Sequence, residues 1–272
     1  MRILLAASAL ASALLVAGPG PARADVDPYD GGWHSSFSPY LWLSGSDMTL
    51  DFKMPGGSVS RVMVSESPFD VLKTLHFAAM GAGDIRKGDW VVIADLIYAS
   101  VGDGNTSVRN ITFPDGSVQI PINLHTSDGL QELVVTAGAG YAVLHDGVSS
   151  ADIFVGLRAA AASTKLEWRF AGPLGLVPQS GLVRNYESLW DGIVGMRGRI
   201  GIEGTPWFVP YYADIGTGES HITAQLMTGV GYTFSWGDLG LTYRYLYYRP
   251  ERGGTVARLG MHGFLLGTTL RF

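Results

Sequence analysis

The residues best suited to catalysis lie in the segment DIGTGESH, which supplies Asp214, Glu219, Ser220 and His221. A hydrolase uses such groups as nucleophile, general base and orienting acid, provided that they come within hydrogen-bond reach of one another. His125 and Asp128, from a separate stretch, could join them. A set of this kind would suit the hydrolysis of a lipid or a peptide.

The same residues are also ordinary loop residues, and nothing else in the sequence supports catalysis. Neither an acidic pair of the kind found in barrel proteases nor a lipid A deacylase pattern accompanies them. The other histidines, His34, His76, His145 and His262, have no spacing that suits a metal ion. The sequence also has no nucleotide-binding loop and no nucleophile elbow. We therefore predict a protein that is not an enzyme and that holds no metal and no cofactor.

A second group of ionisable residues follows strand alternation, in which successive side chains point to opposite faces. In LWDGIVGMRGRIGIE, Trp190, Val194 and Met196 share one face, whereas Asp191 and Arg197 share the other. The charged faces carry the acids Asp84, Asp95, Glu132, Asp191, Glu203 and Asp214 and the bases Arg86, Arg158, Arg197, Arg199, Arg244 and Arg271. The apolar faces predict contact with lipid, and the charged faces predict the lumen of a barrel.

Residue counts from the short turns place several of these charges at the same height. Asp95, Arg158, Asp214 and Arg244 fall near the middle of the barrel, and Arg197 lies close by. A barrel of eight to ten strands is barely wider than the side chains inside it, so buried charges should be paired. We predict an electrostatic plug, and the alternative is a narrow polar conduit.

The elements that would position these faces are ten predicted strands, at about 34–44, 76–86, 89–101, 129–144, 152–166, 187–203, 207–218, 222–235, 238–249 and 259–272. Apart from a short link at 219–221, short turns alternate with long connections, as in transmembrane barrels. The connections 45–75 and 102–128 alternate too, which predicts hairpins above the membrane or further strands, up to twelve. SPFDVLKTL predicts a short helix capped by Ser67.

The composition favours an exported membrane barrel. A basic Arg2, an apolar run over 3–17 and a small-x-small triplet at 22–24 are typical of a secretory signal peptide cleaved after Ala24, which leaves 25–272 as one domain. The chain has no cysteine, and its net charge of −5 offers no basic field for nucleic acid. Charged residues make up 16% of the chain, well below the roughly 25% of soluble domains. A soluble β-sandwich is the alternative, but it does not explain why short and long connections alternate along the chain.

The C-terminal decapeptide GFLLGTTLRF also alternates. Phe264, Leu266, Leu270 and Phe272 share an apolar face that we expect to meet lipid, whereas Arg271 lies on the lumen face. A strand at this position would close against the first strand and leave no edge exposed.

Several motifs together resemble a group of porin-like and OmpA-like outer-membrane β-barrel proteins of Gram-negative bacteria that are largely uncharacterised. The motifs are FSPYLWLSGSDMTL, FDVLKTLHFAAMGAGDIRKGDWVVIADLIYASVGD, SLWDGIVGMRGRI, YYADIGTG, GVGYTFSWGDLGLTYRYLYY and LLGTTLRF. The resemblance implies export through the Sec pathway, contact with outer-membrane lipid and lipopolysaccharide, and no established enzymatic activity. It also implies that periplasmic chaperones and the barrel assembly machinery handle the chain, with Phe264, Leu266, Leu270 and Phe272 as the assembly signal.

Three functional hypotheses follow for an all-β, antiparallel, up-and-down transmembrane barrel of about ten strands. The favoured hypothesis is a structural or surface-interaction role, because the lumen charges balance and the loops carry most of the irregular sequence. The second is a narrow porin-like channel for small polar solutes. The third is an outer-membrane hydrolase acting on lipid A or peptides.

Overall fold

The computed structural model describes residues 27–53, 59–101, 105–112, 119–125, 130–170, 180–250 and 256–272. The predicted signal peptide and Asp128 lie outside these residues. The strands are β1 (Trp33–Lys53), β2 (Val59–Glu66), β3 (Leu75–Lys87), β4 (Trp90–Val101), β5 (Asn105–Thr112), β6 (Gln119–His125), β7 (Leu130–His145), β8 (Ser150–Phe170), β9 (Ser180–Gly201), β10 (Trp207–Gly218), β11 (Ser220–Phe234), β12 (Gly237–Pro250) and β13 (Val256–Arg271).

Ten of these strands form a closed ring. The order around the wall is β1, β3, β4, β7, β8, β9, β10, β11, β12 and β13, and each strand is antiparallel to both neighbours. The ring closes where β13 pairs with β1, from Ser36 opposite Arg271 to Leu50 opposite Val256. The predicted fold, an up-and-down antiparallel barrel of ten strands, is confirmed.

The other three strands raise the wall at one end of the barrel. β2 pairs with the second half of β1, and β6 pairs with the second half of β8 while β5 pairs with β6. They fall in the segments 45–75 and 102–128, where alternation predicted hairpins or added strands. β8 and β9 continue their own ladder to Arg169 opposite Ser180, so much of the predicted loop at 167–186 is strand.

The two ends of the barrel differ in how their strands are connected. Residues 88–89, 146–149, 202–206 and 235–236 make short links at one end, which we call the turn end. Gly88 and Gly147 adopt φ of 56° and 82°, a left-handed conformation that glycine takes at no steric cost and that lets these links stay tight. The opposite end, the loop end, carries the long connections, β2, β5 and β6, and the one-residue link at Glu219 between β10 and β11.

One short helix, α1 (Pro68–Thr74), joins β2 to β3. The Ser67 hydroxyl caps its N-terminus by accepting a 3.3 Å hydrogen bond from the amide of Asp70, and proline occupies the first turn, where its missing N–H costs nothing. The predicted cap and helix are confirmed. Among the described residues, no helix is long and apolar enough to cross a membrane.

The outer surface of the ring is apolar. Val92, Val155, Val194 and Leu241 point outward and are exposed, as are many other large apolar side chains of the wall. Aromatic pairs stand near the turn end, with Trp90 against Tyr141 and Trp207 against Tyr232. A closed barrel with an apolar band, an aromatic girdle and polar groups inside is the architecture of an outer-membrane β-barrel.

The interior is packed rather than open. One apolar cluster lies toward the loop end and is formed by Tyr40, Trp42, Ile97, Val134, Leu246, Tyr248, Met261 and Leu265. A smaller cluster of Val91, Ile93, Phe154 and Ile193 lies nearer the turn end. Sequence alternation assigned single apolar residues to inner faces, but it did not predict these two clusters.

Candidate functional site

The candidate site is the set of charged side chains that crosses the barrel interior. They form three layers, named here from the centre toward the turn end. The middle layer contains Asp95, Arg158, Asp214, Gln225 and Arg244, the lower layer contains Asp84, Arg86, Asp152 and Arg197, and the mouth layer contains Arg199, Asp238 and Arg271.

Arg158 is the best-satisfied residue of the middle layer. Its guanidinium holds Asp214 through two hydrogen bonds, of which the one from Nη1 to Oδ1 is 3.0 Å long. Nη1 also donates to the Thr223 hydroxyl at 3.2 Å, and Nε donates to that of Thr136 at 3.3 Å. The arginine is 0% exposed, so this fork-to-carboxylate pair is fully shielded from water.

Arg244 lies on the other side of the middle layer. Its Nη2 donates to Asp95 Oδ2 at 2.6 Å, although three strands separate β12 from β4 along the wall. Its Nη1 donates to the Tyr40 hydroxyl at 3.0 Å, and that hydroxyl donates to Asp95. The guanidinium also lies 5.1 Å from the centre of the Trp42 ring. Arg244 therefore ties opposite walls of the barrel together.

Gln225 joins the two arginine centres. Its side-chain oxygen accepts from Arg244 Nη2 at 2.7 Å and from Arg158 Nη2 at 3.3 Å. The hydrogen-bonded chain runs from Asp95 on β4 through Arg244, Gln225 and Arg158 to Asp214 on β10. The chain therefore crosses the lumen from wall to wall near mid-height.

The lower layer repeats this pattern. Arg86 donates to Asp152 Oδ2 at 2.5 Å, and Arg197 donates to the same oxygen at 3.3 Å and to Asp84 at 3.1 Å. Arg197 and Asp84 lie on strands β9 and β3, which are separated by three strands. Two arginines and two aspartates therefore also span the barrel here.

The mouth layer is looser, and its two arginines are more open to water although Asp238 is buried. Asp238 accepts a hydrogen bond from Arg271, and Arg199 reaches the same carboxylate only at 3.8 Å. The Arg271 side chain is 47% exposed. Solvent screening weakens such a pair, so this layer contributes less than the two above it.

Two predicted network members lie in the interior without an ion pair. Asp191 is buried and accepts the amide of Ser220 at 2.7 Å, but its other oxygen has no partner among the described residues. Glu132 makes no hydrogen bond or ion pair with any described residue. A third acid, Glu203, lies in the exposed turn between β9 and β10, so its assignment to the lumen was wrong because the strand ends at Gly201.

Sequence analysis missed three members of the layers, Asp152, Asp238 and Gln225. Asp152 shares the parity of Arg158, and Asp238 shares that of Arg244, so alternation alone could have found both. Asp152 and Asp238 each stand at a strand end beside a turn, where few neighbouring residues establish the alternation. Gln225 carries no charge and gave no comparable signal.

Two of the predicted hydrolase residues, Asp214 and Ser220, are bound to partners outside the predicted set, and Asp128 and the His125 side chain lie outside the described part of the chain. Asp214 is bound to Arg158 in the middle layer, whereas the amide of Ser220 is bound to Asp191. Glu219 accepts the amide of Trp190 at 2.8 Å, and His221 is exposed at the loop end. Among the described residues, no group of three or more His, Cys, Asp or Glu is arranged to hold a metal ion.

The turn between β7 and β8 shows how the turn end is held. Asp146 accepts amide hydrogen bonds from Ser149 at 2.6 Å and from Val148 at 3.0 Å. These bonds favour the charged carboxylate and lower the pKa of Asp146 below its ordinary value of 3.8. Just before β1, the carboxylate of Asp30 contacts the His34 side chain and accepts a hydrogen bond from the Gly32 amide, which lowers the pKa of Asp30.

The four predicted residues of the C-terminal strand lie on its outer face. Phe264, Leu266 and Phe272 are exposed, and Leu270 is half-buried opposite Phe37 of β1. The backbone of Phe272 exchanges two hydrogen bonds with Ser35, at 2.8 and 3.1 Å. Their role as an assembly signal stays a prediction.

Comparisons with known proteins give likenesses in structure only. No protein-family model and no curated protein sequence matches the chain. The chain is similar to Ail, the attachment invasion locus protein of Yersinia pestis, at 12% identity and a TM-score of 0.35 over 89% of this chain and 99% of that one. It is similar to the translocator domain of the autotransporter NalP from Neisseria meningitidis, at 13% identity and a TM-score of 0.40 over 90% of each chain. It is also similar to the toluene transporter TodX of Pseudomonas putida, at 8% identity and a TM-score of 0.30 over 95% of this chain and 92% of that one.

The class of the protein therefore rests on its own geometry. The ring closes through ten antiparallel ladders, its exterior is apolar with aromatic pairs at the turn end, and its interior holds paired charges. The protein is an outer-membrane β-barrel.

Proposed function

We propose that this protein is a structural or surface-interaction barrel whose lumen is closed by paired charges, in the outer membrane of a Gram-negative cell. The observation that carries this proposal is the chain of hydrogen bonds from Asp95 through Arg244, Gln225 and Arg158 to Asp214. It reaches across the barrel at mid-height, where a channel would need a continuous aqueous path.

The packing on both sides of the middle layer supports a closed lumen. The apolar cluster with Trp42 and Leu246 fills the interior toward the loop end, and the cluster with Phe154 lies nearer the turn end. Removing one partner of a buried ion pair is costly because the other charge is left without compensation. The plug is therefore a fixed part of the fold, and it does not open without disturbing the barrel.

The loop end supports an interaction at the cell surface. β1, β8 and β9 have 21 to 22 residues. At a tilt near 40° each residue adds about 2.5 Å of height, so these strands rise roughly 25 Å above an apolar band about 25 Å tall. Short turns face the periplasm in such barrels, which directs the raised wall outward.

Planar-bilayer recording tests the closed lumen. We expect the refolded wild-type barrel to give no reproducible single-channel steps. Steps that are lost or altered in Arg244→Ala or Asp95→Ala, but not in the outer-surface control Lys87→Gln, would show that the lumen conducts and would overturn the plug. Refolding is checked by a gel shift between heated and unheated samples.

Complementation of a deletion strain separates the two forms of the proposed role. The full chain and a variant with the β8–β9 hairpin shortened between residues 167 and 183 are compared in the same strain. If the role is structural, both chains restore detergent resistance to the deletion strain. If the role is a surface interaction, only the full chain does.

The accompanying proposal that the barrel is not an enzyme fails if the purified barrel changes lipid A or cleaves a peptide. Cleavage after Ala24 is checked by N-terminal sequencing of the mature protein.

A further inference from the structure

Four inward-facing side chains lie on the loop-end side of the middle layer and have oxygen atoms that accept no side-chain hydrogen bond. They are Glu132 of β7, Asp191 of β9, Ser220 of β11 and Tyr248 of β12, and we call them the upper set. Asp191, Ser220 and Tyr248 are 1%, 0% and 2% exposed, and Asp191 Oδ2 and the two hydroxyl oxygens are buried without a hydrogen-bond partner among the described residues. Most buried polar groups in folded proteins are hydrogen-bonded, so these three atoms are suited to accept hydrogen bonds from a ligand.

Asp191 has no cation in direct contact among the described residues. Arg158 lies opposite it in the β8–β9 ladder, but all five N–H groups of that guanidinium already donate elsewhere. Their acceptors are Asp214, Thr223, Thr136 and Gln225. Asp191 accepts the backbone amide of Ser220 at 2.7 Å, which brings the Ser220 hydroxyl beside the carboxylate. A fully buried carboxylate is costly when no cation lies close to it.

Tyr248 and Glu132 approach this carboxylate from opposite walls. Strands β12 and β7 face each other across the ring, with four strands between them in each direction. Tyr248 follows Arg244 by four residues along β12, which places it roughly 10 Å above the middle layer. Its ring packs in the same apolar cluster as Val134, which is two residues from Glu132 on the same inner face. The charges of Glu132 and Asp191 both act on the Tyr248 hydroxyl, so the upper set surrounds one region of the lumen.

The charge of the upper set differs from that of the layers below it. The middle layer and the lower layer each hold two arginines and two aspartates, paired with one another. The upper set has two carboxylates, and neither makes an ion pair with any described residue. The excess negative charge of the interior therefore lies above the plug, on the side that faces the loop end.

Small side chains leave room at this level of the lumen. Glu132 lies between Ala99 of β4 and Ala162 of β8 in the ladders, and Ala78 of β3 continues the same line. Residues directly opposite one another on neighbouring strands point to the same face, so all three methyl groups face inward with the carboxylate. Glu132 is only half-buried, which makes it reachable from the loop end.

We propose that the upper set binds a primary ammonium group carried on a small apolar body that enters from the loop end. A primary ammonium has three N–H donors, and it meets three acceptors, Asp191 Oδ2 and the hydroxyls of Ser220 and Tyr248. Asp191 supplies the countercharge, while the charge of Glu132 attracts the cation to the entrance. The apolar body rests on the cluster that contains Leu246. The inference requires only the closed ring and is independent of whether the lumen conducts.

A metal ion fits the same place less well. Hard cations such as Ca²⁺ take six to eight oxygen ligands, and no group of three or more His, Cys, Asp or Glu converges among the described residues. The aromatic and aliphatic side chains of the cluster around Trp42 and Leu246 would contact an alkyl chain, but they offer no ligand to a metal.

Equilibrium dialysis of radiolabelled butylammonium against the refolded full-length barrel tests this site. The barrel is held in uncharged detergent at pH 7 and constant ionic strength, and uptake by empty micelles is subtracted. We expect the wild type to retain the amine, and Asp191→Asn, which still accepts the Ser220 amide, to retain it about tenfold less or lower still. Tyr248→Phe should also reduce retention. The matched control Glu203→Gln removes an exposed carboxylate at the turn end and should retain the amine like the wild type.

Melting without the amine supplies a second readout. Asp191→Asn should melt at or above the wild-type temperature because a buried charge is removed, whereas Asp214→Asn should melt lower because Arg158 loses its partner. Heated and unheated gel samples check that each variant has refolded.

Equal retention by Asp191→Asn and the wild type would overturn the proposal, and so would a melting point of Asp191→Asn as low as that of Asp214→Asn. Displacement of the amine by an equal concentration of calcium chloride would replace the ammonium with a metal ion. Equal displacement by butanol would reduce the site to an apolar cavity. A conducting lumen with normal amine retention would refute only the plug.

Discussion

The middle and mouth layers of the barrel interior use the same residue types in different surroundings. In the middle layer Arg158 and Arg244 are 0% and 2% exposed, and each has at least three hydrogen-bonding partners. In the mouth layer Arg199 reaches Asp238 only at 3.8 Å, and Arg271 is half-exposed. Water reaches both arginines at the mouth, whereas it reaches neither arginine at the centre.

The difference shows that depth, and not the mere presence of an ion pair, sets what each charge contributes. A buried charge without a partner costs several kcal/mol, while an exposed pair contributes about 0 to 1 kcal/mol. Removing a charged group should therefore cost less toward the turn end than at the centre. Four measurements of unfolding in detergent test this difference.

The largest effect is expected for Arg158→Met. The change leaves Asp214 buried without its partner, so the free energy of unfolding should fall by about 3 to 5 kcal/mol. Chemical denaturation of the refolded barrel measures it. The double variant Arg158→Met, Asp214→Leu removes both charges and should recover most of the loss. A double variant no more stable than the single one would mean that packing, and not charge, explains the effect.

Gln225→Leu should have an intermediate effect. The substitution removes the oxygen that accepts from both Arg158 and Arg244, and each arginine keeps its carboxylate. We expect a loss of about 1 to 3 kcal/mol, the cost of leaving buried donors unsatisfied. Thr228→Val, on the outward face of the same strand, is the control and should change stability little. Equal losses in the two variants would argue against the bridge.

Arg271→Gln should have a small effect at the mouth. The pair with Asp238 is screened by solvent, and Arg199 remains near the same carboxylate. The expected loss is about 0 to 1 kcal/mol, and it should shrink further at high salt. A loss as large as that of Arg158→Met, or one that salt does not change, would show that the gradient with depth does not exist.

Asp146→Asn should have the smallest effect, because its carboxylate is exposed and bonds only to amides of its own turn. Since the pKa of Asp146 is lower in the folded state, its contribution is present above about pH 4 and disappears as the pH falls through that lowered pKa. Melting temperatures of the variant and the wild type should therefore differ slightly at pH 7 and converge toward pH 2. A difference that grows on acidification would contradict the assigned direction.

Alternation within strands predicted much of this arrangement. It placed Arg158, Arg244, Asp95 and Asp214 on inner faces, and the counts from the short turns gave them similar heights. The ten strands of the ring and the capped helix were likewise predicted from periodicity and turn residues. These features depend on local geometry, which repeats every two residues in a strand and can therefore be recognised in the sequence.

The choice of partners could not be predicted in the same way. Sequence gives a side chain its face and its height, but it does not say which strand lies across the lumen. Arg244 meets Asp95 because β12 and β4 face each other only after the ring closes. For the same reason sequence could not show that Asp191 and Glu132, which alternation places inside, have no cationic partner among the described residues.

The seam between β1 and β13 constrains how the barrel can form. It joins Ser36 to Arg271, so the first strand of the ring must wait for the last one to be synthesised. Until the two strands pair, each has one edge with unpaired backbone amides and carbonyls, which cost several kcal/mol each within a lipid layer. Pairing between strands that are so far apart in the sequence slows folding, and the unpaired strand edges are prone to aggregation until it occurs. Insertion of this chain into the membrane strand by strand during translation would therefore be unfavourable. A chaperone that covers both strand edges until they pair would protect the chain from aggregation.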